Sequence, residues 1–146
     1  MQIVRVLPGT PDAEILASYA ETCSWIAGKH LAKLLREGCF SDWECAFAAM
    51  NGDAVIGYCT FLKTDYYPDN RYFPWISSMF VDEAHRGKGI CGKLIEAAEA
   101  YAKAHGFSTV YIPSDMTGFY ERYGYEKIGT LENYGGDIDN IFAKTI

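Results

Sequence analysis

Apolar residues recur along this chain with two periods, and the points where the period changes outline its elements. Residues 2–7 read as a short strand, ended by Pro8 and Gly9. A helix opens next: Thr10 can cap it, Pro11 suits its first turn, and Asp12 and Glu14 favour its positive end. Leu31, Leu34 and Leu35 give a second helix, over Ile26–Glu37, an apolar face, and Gly38 stops it. Glu44–Met50 and Asp53–Lys63 are apolar runs on either side of Asn51-Gly52, the strongest short-range hairpin signal. A polar loop covers 64–70. Phe73–Val81 then predicts a strand, with Pro74 tolerable near its beginning. Asp82–Lys88 is a glycine-rich turn leading into a helix from Gly89 to about His105. Within that helix Leu94, Ala97, Ala98, Tyr101 and Ala102 recur at helical spacing, and Gly106 ends it. Ser108–Ile112 is a strand cut off by Pro113. Thr117–Tyr123 predicts a short helix closed by Gly124. Tyr125–Thr130 and Asn140–Ile146 are two last strands around the turn-rich stretch 133–139.

The resulting order, β-α-α-β-β-β-α-β-α-β-β, predicts a mixed α/β fold in one domain, 1–146. An antiparallel first half precedes one strand–helix–strand crossover. A length of 146 residues suits one substantial core. The net charge of -6 argues against a nucleic-acid binder. The cations gather locally instead, at 86–93, which points to a small anionic ligand. No apolar run approaches the ~20 residues of a membrane span, and the N-terminus lacks a signal-peptide core. The five cysteines form no CxxC pair, so reduced thiols and a cytoplasmic location are expected. His30, His85 and His105 show no metal-ligand spacing, and no metal site is expected.

The chemistry concentrates in "HRGKGICGKLI" (85–95). Three glycines and the cations Arg86, Lys88 and Lys93 stand at the mouth of the long predicted helix. A helix N-terminus offers about four unbonded N–H groups and roughly half a positive charge. Glycines let a phosphate reach those amides. Gly87 and Gly92-Lys93 fit most of a nucleotide P-loop, but the next residue is Leu94 where a Mg²⁺-binding Ser or Thr is required. Gly87, Gly89 and Gly92 also match a dinucleotide GxGxxG, but the strand that follows ends in Ile112-Pro113 and brings no ribose-binding acid.

Arg86-Gly87-Lys88-Gly89-Ile90-Cys91 resembles the Arg/Gln-x-x-Gly-x-Gly/Ala signature of the GCN5-related N-acetyltransferase (GNAT) superfamily. The surrounding stretch 79–107 is similar to that family's main motif, and "FYERYGY" (119–125) to its later F-Y-x-x-x-G-F/Y. The resemblance covers 79–125 in motif and the whole chain in element order. It implies a GNAT-like fold, with a central mixed sheet of about six to seven strands and about four flanking helices. One departure stands out: Cys91 occupies the Gly/Ala slot. A thiol beside cations at a helix start can be activated, but a small residue tolerated near phosphate is the favoured reading.

The resemblance further implies direct attack of a primary amine, on a small molecule or peptide, on the thioester of acetyl-CoA. Gly87, Lys88, Gly89, Ile90, Cys91 and Gly92 would hold the pyrophosphate with Arg86. Met79, Phe80 and Val81 would meet the pantetheine arm along the edge of their strand, with Tyr123 nearby. Tyr120 falls on the family's tyrosine position, and a phenol of pKa ~10 can protonate the leaving thiolate, with Tyr123 as the nearby alternative. Neither splayed strand carries a carboxylate, so the base stays open. Glu44, Asp65 and Trp75 are candidates for contact with the acceptor, and Asp115 or a water chain past Ser77 or Ser78 are further options. A catalytically silent acyl-CoA-binding sensor on the same fold is the alternative. Pairing through the late strands into a homodimer stays open.

Overall fold

The computed structural model describes all residues from Met1 to Ile146. Seven strands form one sheet: β1 (Gln2–Val6), β2 (Cys45–Asn51), β3 (Ala54–Leu62), β4 (Trp75–Val81), β5 (Thr109–Ser114), β6 (Glu126–Glu132) and β7 (Ile138–Thr145). Their order across the sheet is β1-β2-β3-β4-β5-β7-β6. Every neighbouring pair is antiparallel except β4 and β5. The expected element order holds, with one difference. Thr117–Tyr123 is not a fourth α-helix but a single 3-10 turn at Tyr120–Tyr123. Gly118 and Gly124 both take positive φ, so only a short piece between them can coil.

The three α-helices are α1 (Pro11–Thr22), α2 (Gly28–Glu37) and α3 (Ile90–Ala104). Thr10 caps α1 by accepting the Ala13 N–H at 3.2 Å. Ala13, Leu16, Ala17 and Ala20 form its buried stripe. On α2, Leu31, Ala32 and Leu35 are buried, whereas Leu34 is only half-buried. Gly38, at φ 66°, returns its N–H to the Leu34 carbonyl and ends the helix. Arg36 of α2 pairs with both Glu14 and Glu21 of α1.

The sheet separates two cores. On one face Leu94, Ile95, Ala98 and Ala102 of α3 pack on Phe47, Phe61, Ile76, Val110 and Phe142. On the other, α1 and α2 pack on Ala46, Ala48, Tyr58 and Phe80. Gly57 lets α3 approach closely, since a Cβ there would meet the Phe80 carbonyl at 3.1 Å and Ile90 Cγ2 at 3.2 Å. Both faces of the central strands are therefore covered, and their side chains are apolar almost throughout.

Candidate active site

β4 and β5 run parallel but touch at one place only, Trp75 opposite Tyr111, where the Tyr111 N–H donates to the Pro74 carbonyl at 3.1 Å. Beyond that pair the two strands diverge. Pro113, which has no N–H, sits on β5 in the divergent part and pairs instead with Ile141 of β7. The gap opens into a cavity of about 760 Å³. Ser77, Ser78 and Met79 of β4 form one wall and Ile112, Pro113 and Ser114 of β5 another. Residues of α2, the β3–β4 connection and β7 close the rest.

A bulge shapes the β4 wall. The register with β3 slips between Tyr58 and Thr60, so Ser78 and Met79 together oppose one residue. Ser78 takes φ 51°, a left-handed conformation uncommon for serine. Nearer the end of β4, the Asp82 N–H donates to the Ile56 carbonyl of β3 at 2.9 Å. Alternation then turns the backbone groups of Val81 and Met79 away from β3, toward the open edge. Phe80 differs from its neighbours. Its backbone pairs with Tyr58, and its ring is buried in the α1–α2 core, stacked on Trp25 at 6.2 Å. The Phe80 side chain thus belongs to the core and does not line the cavity, whose β4 wall is Ser77, Ser78 and Met79.

The glycine-rich turn lies at the same end of β4. Gly87 and Gly89 have φ of 77° and 78°, which other residues adopt at a cost. Gly89 starts α3 without a side-chain cap, and the first helical bond runs from the Lys93 N–H to its carbonyl at 3.2 Å. The amides of Ile90, Cys91 and Gly92 precede that bond and have no helical partner. Gly92 matters for space: a Cβ there would meet Tyr123 Cε1 at 2.9 Å. Tyr123 thus packs its ring on the first turn of α3. Arg86 is fixed by donating from Nε to the Val81 carbonyl at 2.9 Å, with its guanidinium 5.5 Å from the Phe80 ring. Lys88 is exposed.

Cys91 is half-buried against the α3 core, and that burial pushes its thiol up to about 11, against a smaller opposing pull from Arg122. Burial therefore favours the neutral thiol over a reactive thiolate. The residue acts as a small apolar filler.

Tyr120 lines the cavity between the two motifs, only 5% exposed. Its ring packs on Phe119, Tyr125 and Phe142, and its phenol oxygen makes no hydrogen bond within the protein. Desolvation, with nearby Cys91 and Cys59, raises this phenol above its ordinary value, so it stays protonated.

The other predicted acceptor contacts divide. Trp75 is 1% exposed, stacked on Tyr67 and packed with Ile141, and is absent from the cavity wall; the expectation that it touches substrate is corrected. Glu44 reaches the cavity edge, but its carboxylate already accepts from the Ser41 N–H and hydroxyl and from the Lys63 N–H, all within 3.0 Å. Its work is to pin two loops. Asp65 lies on the wall with one carboxylate oxygen buried and unpaired. His30 and Leu34 of α2, in the helical region expected to meet the acceptor, also line the wall, and so does Asp139 of β7, which the sequence did not mark; Asp139 accepts from the Tyr67 hydroxyl at 2.7 Å and from Asn133 at 3.1 Å. Altogether four carboxylates, Glu44, Asp65, Asp115 and Asp139, line this cavity, with no Lys or Arg.

Comparison with known proteins agrees with this geometry. Residues 13–125 match the model of the acetyltransferase (GNAT) family. An acetyltransferase of Agrobacterium fabrum (strain C58) is 43% identical over 60 residues, which is 39% of this chain and 44% of the relative, so the match spans less than half of that protein's length. Among solved structures, aminoglycoside 6'-acetyltransferase type Ii superposes with a TM-score of 0.73 at 22% identity, over 99% of this chain and 97% of the other. An aminoglycoside 6'-N-acetyltransferase complexed with coenzyme A gives 0.67 at 17% identity, over the same shares of the two chains. At these identities the likeness establishes the fold. The matched family model, which covers most of the chain including the split strands and the glycine-rich turn, establishes the lineage: this chain belongs to the GNAT family of acetyltransferases.

Proposed function

We propose that this chain is an acetyl-CoA-dependent N-acetyltransferase that passes an acetyl group directly to a primary amine. The observation that carries the reading is the opening between β4 and β5, with the free amides of α3 at its end and a phenol without a partner on its wall. The residues present fit the coenzyme. The amides of Ile90, Cys91 and Gly92, with the turn at Gly87–Gly89 and the charge of Arg86 and Lys88, suit a pyrophosphate. The backbone edge of β4 at Met79, turned away from β3, suits an amide-bearing arm. When bound, the coenzyme supplies the activated acetyl thioester.

The chain's own residues do the rest. The cavity positions the amine next to the open strand edge, which converts a bimolecular encounter into a local one. Tyr120, kept protonated by burial, holds a proton where a leaving thiolate needs one. The acceptor is a small-molecule amine or a peptide amine. Four lining carboxylates with no lining Lys or Arg favour a cationic acceptor over an anionic one.

A thermal-shift titration tests the coenzyme half of the reading. Acetyl-CoA at about 100 times its Kd should stabilise the fold by about 2.7 kcal/mol. ATP with Mg²⁺ should leave the melting temperature unchanged; the reverse result would return the turn to a nucleotide loop. One observation favours a silent acyl-CoA sensor instead: β4 and β5 carry no carboxylate. Stabilisation by acetyl-CoA without thiol release for any amine would select that reading.

A further inference from the structure

We propose that Asp65 is the carboxylate that receives the acceptor's ammonium group and takes its first proton, and that the favoured acceptor is a small amine with a second cationic centre. The proton step rests on the acetyltransferase reading above; the cation site does not.

Asp65 lies in the connection between β3 and β4, outside both splayed strands. Its Oδ1 accepts the Tyr66 N–H at 2.6 Å. Its Oδ2 is the one buried side-chain nitrogen or oxygen in the molecule without a hydrogen-bond partner. A carboxylate oxygen left so is costly, and a native fold that keeps one has a use for it. The surroundings supply no counter-charge. Asp139 of β7 faces it and Tyr67 stands beside it; His30 of α2 is the only group of opposite potential charge nearby. Burial raises the Asp65 carboxyl above its usual range, opposed by the Ser77 hydroxyl and the Tyr66 N–H, and Asp139 raises it further. An ammonium group of a ligand fits the unpartnered oxygen, since it carries both proton donors and the charge.

The position suits the reaction. Ser77 belongs to β4 beside the bulge, and its hydroxyl lies 3.2 Å from that of Thr60. Thr60 and Ser77 are the only buried polar residues in the protein. With Asp65 they line the same cavity wall, on the side of the open strand edge. There the ammonium gives one proton to Asp65. The freed nitrogen lone pair attacks the acetyl carbonyl carbon, the C–N bond forms and the C–S bond breaks. Tyr120 gives its proton to the leaving thiolate, the second nitrogen proton passes through solvent to restore the phenol, and Asp65 releases its own to solvent. One ammonium offsets one carboxylate. Asp139, with an oxygen still to spare, fits a second cation on the same molecule.

Calorimetric titration with 1,6-diaminohexane, without coenzyme, tests the site. The wild type should bind it more tightly than it binds n-hexylamine. Asp65→Asn should weaken the diamine by roughly 10- to 100-fold, the loss of one charged hydrogen bond. Asp65→Glu should recover part of that, and Asp69→Asn, in the same connection but paired with Arg71, should change nothing. Equal diamine affinity in wild type and Asp65→Asn overturns the cation site, whatever the turnover. In thiol-release assays Asp65→Asn should lower kcat with the KM for acetyl-CoA unchanged and flatten the acid limb of the pH profile. An unaltered kcat and profile overturn the proton step. Asp65-dependent diamine binding without turnover by the wild type overturns the transferase reading and leaves the cation site supported.

Discussion

Gly28→Ala is expected to loosen the wall of the cavity from behind. Gly28 opens α2 against the end of α1. An added Cβ would stand 2.1 Å from the Ala20 carbonyl oxygen and 2.9 Å from Cys23 Sγ. Ordinary contact begins at 3.4 Å, so the helix ends must part by about 1.3 Å. The oxygen is backbone and cannot rotate away. Overpacking of this kind costs about 1–3 kcal/mol, and the better helix propensity of alanine returns at most about 1. A net loss of about 1–2 kcal/mol corresponds to a fall of roughly 2–8 °C in Tm for a chain of this size. Urea unfolding should show a lower midpoint with an unchanged slope. Because α2 carries His30, Leu31 and Leu34 into the cavity, the KM for the amine should rise while acetyl-CoA affinity, set at α3, holds. A variant as stable as the wild type would refute the claim that the absent Cβ sets the α1–α2 approach.

Three further outcomes follow from the site. Tyr120→Phe should lower kcat by roughly 10²–10⁴ with little change in coenzyme affinity, measured by steady-state thiol release; an unchanged kcat removes the phenol from the mechanism. Cys91, with its thiol near 11, should alkylate with iodoacetamide roughly 100-fold or more slowly than exposed Cys39, followed by peptide mass mapping, and rapid labelling of Cys91 would contradict its filler role. Asp65 has a folded-state pKa above its unfolded one, so the native state binds its proton more tightly and stability falls as pH rises between the two values. Asp65→Asn removes that loss: it should be more stable than the wild type at pH 7 and gain little near pH 3, by urea unfolding at both. A variant less stable at pH 7 would mean the carboxylate is satisfied.

Much of this was readable in the chain because it is local. Asn51-Gly52 placed the hairpin, Thr10-Pro11 the start of α1, and the alternation of glycine and cation the turn before α3. What failed to read depends on partners far away in sequence. The exclusion of Trp75 follows from Tyr67 and Ile141 closing over it. The capture of Glu44 depends on Lys63 across the β2–β3 pair. The burial of Phe80 follows from which edge of β4 meets β3, and the bulge at Ser78 sets that phase for the rest of the strand. Asp139 carries no signal at all: only the insertion of β7 between β5 and β6 brings it beside Asp65, 74 positions earlier in the chain. The short helix failed for a local reason, two glycines at positive φ around a four-residue coil.

The central claim is that the opening between β4 and β5 seats an acetyl thioester for attack by an amine. The most direct test follows free coenzyme A thiol released from acetyl-CoA by the wild-type chain, across amines that include n-hexylamine and 1,6-diaminohexane. The expected result is amine-dependent release that saturates in both substrates and is largest for the diamine. Release no faster than spontaneous hydrolysis with every amine tried would contradict it.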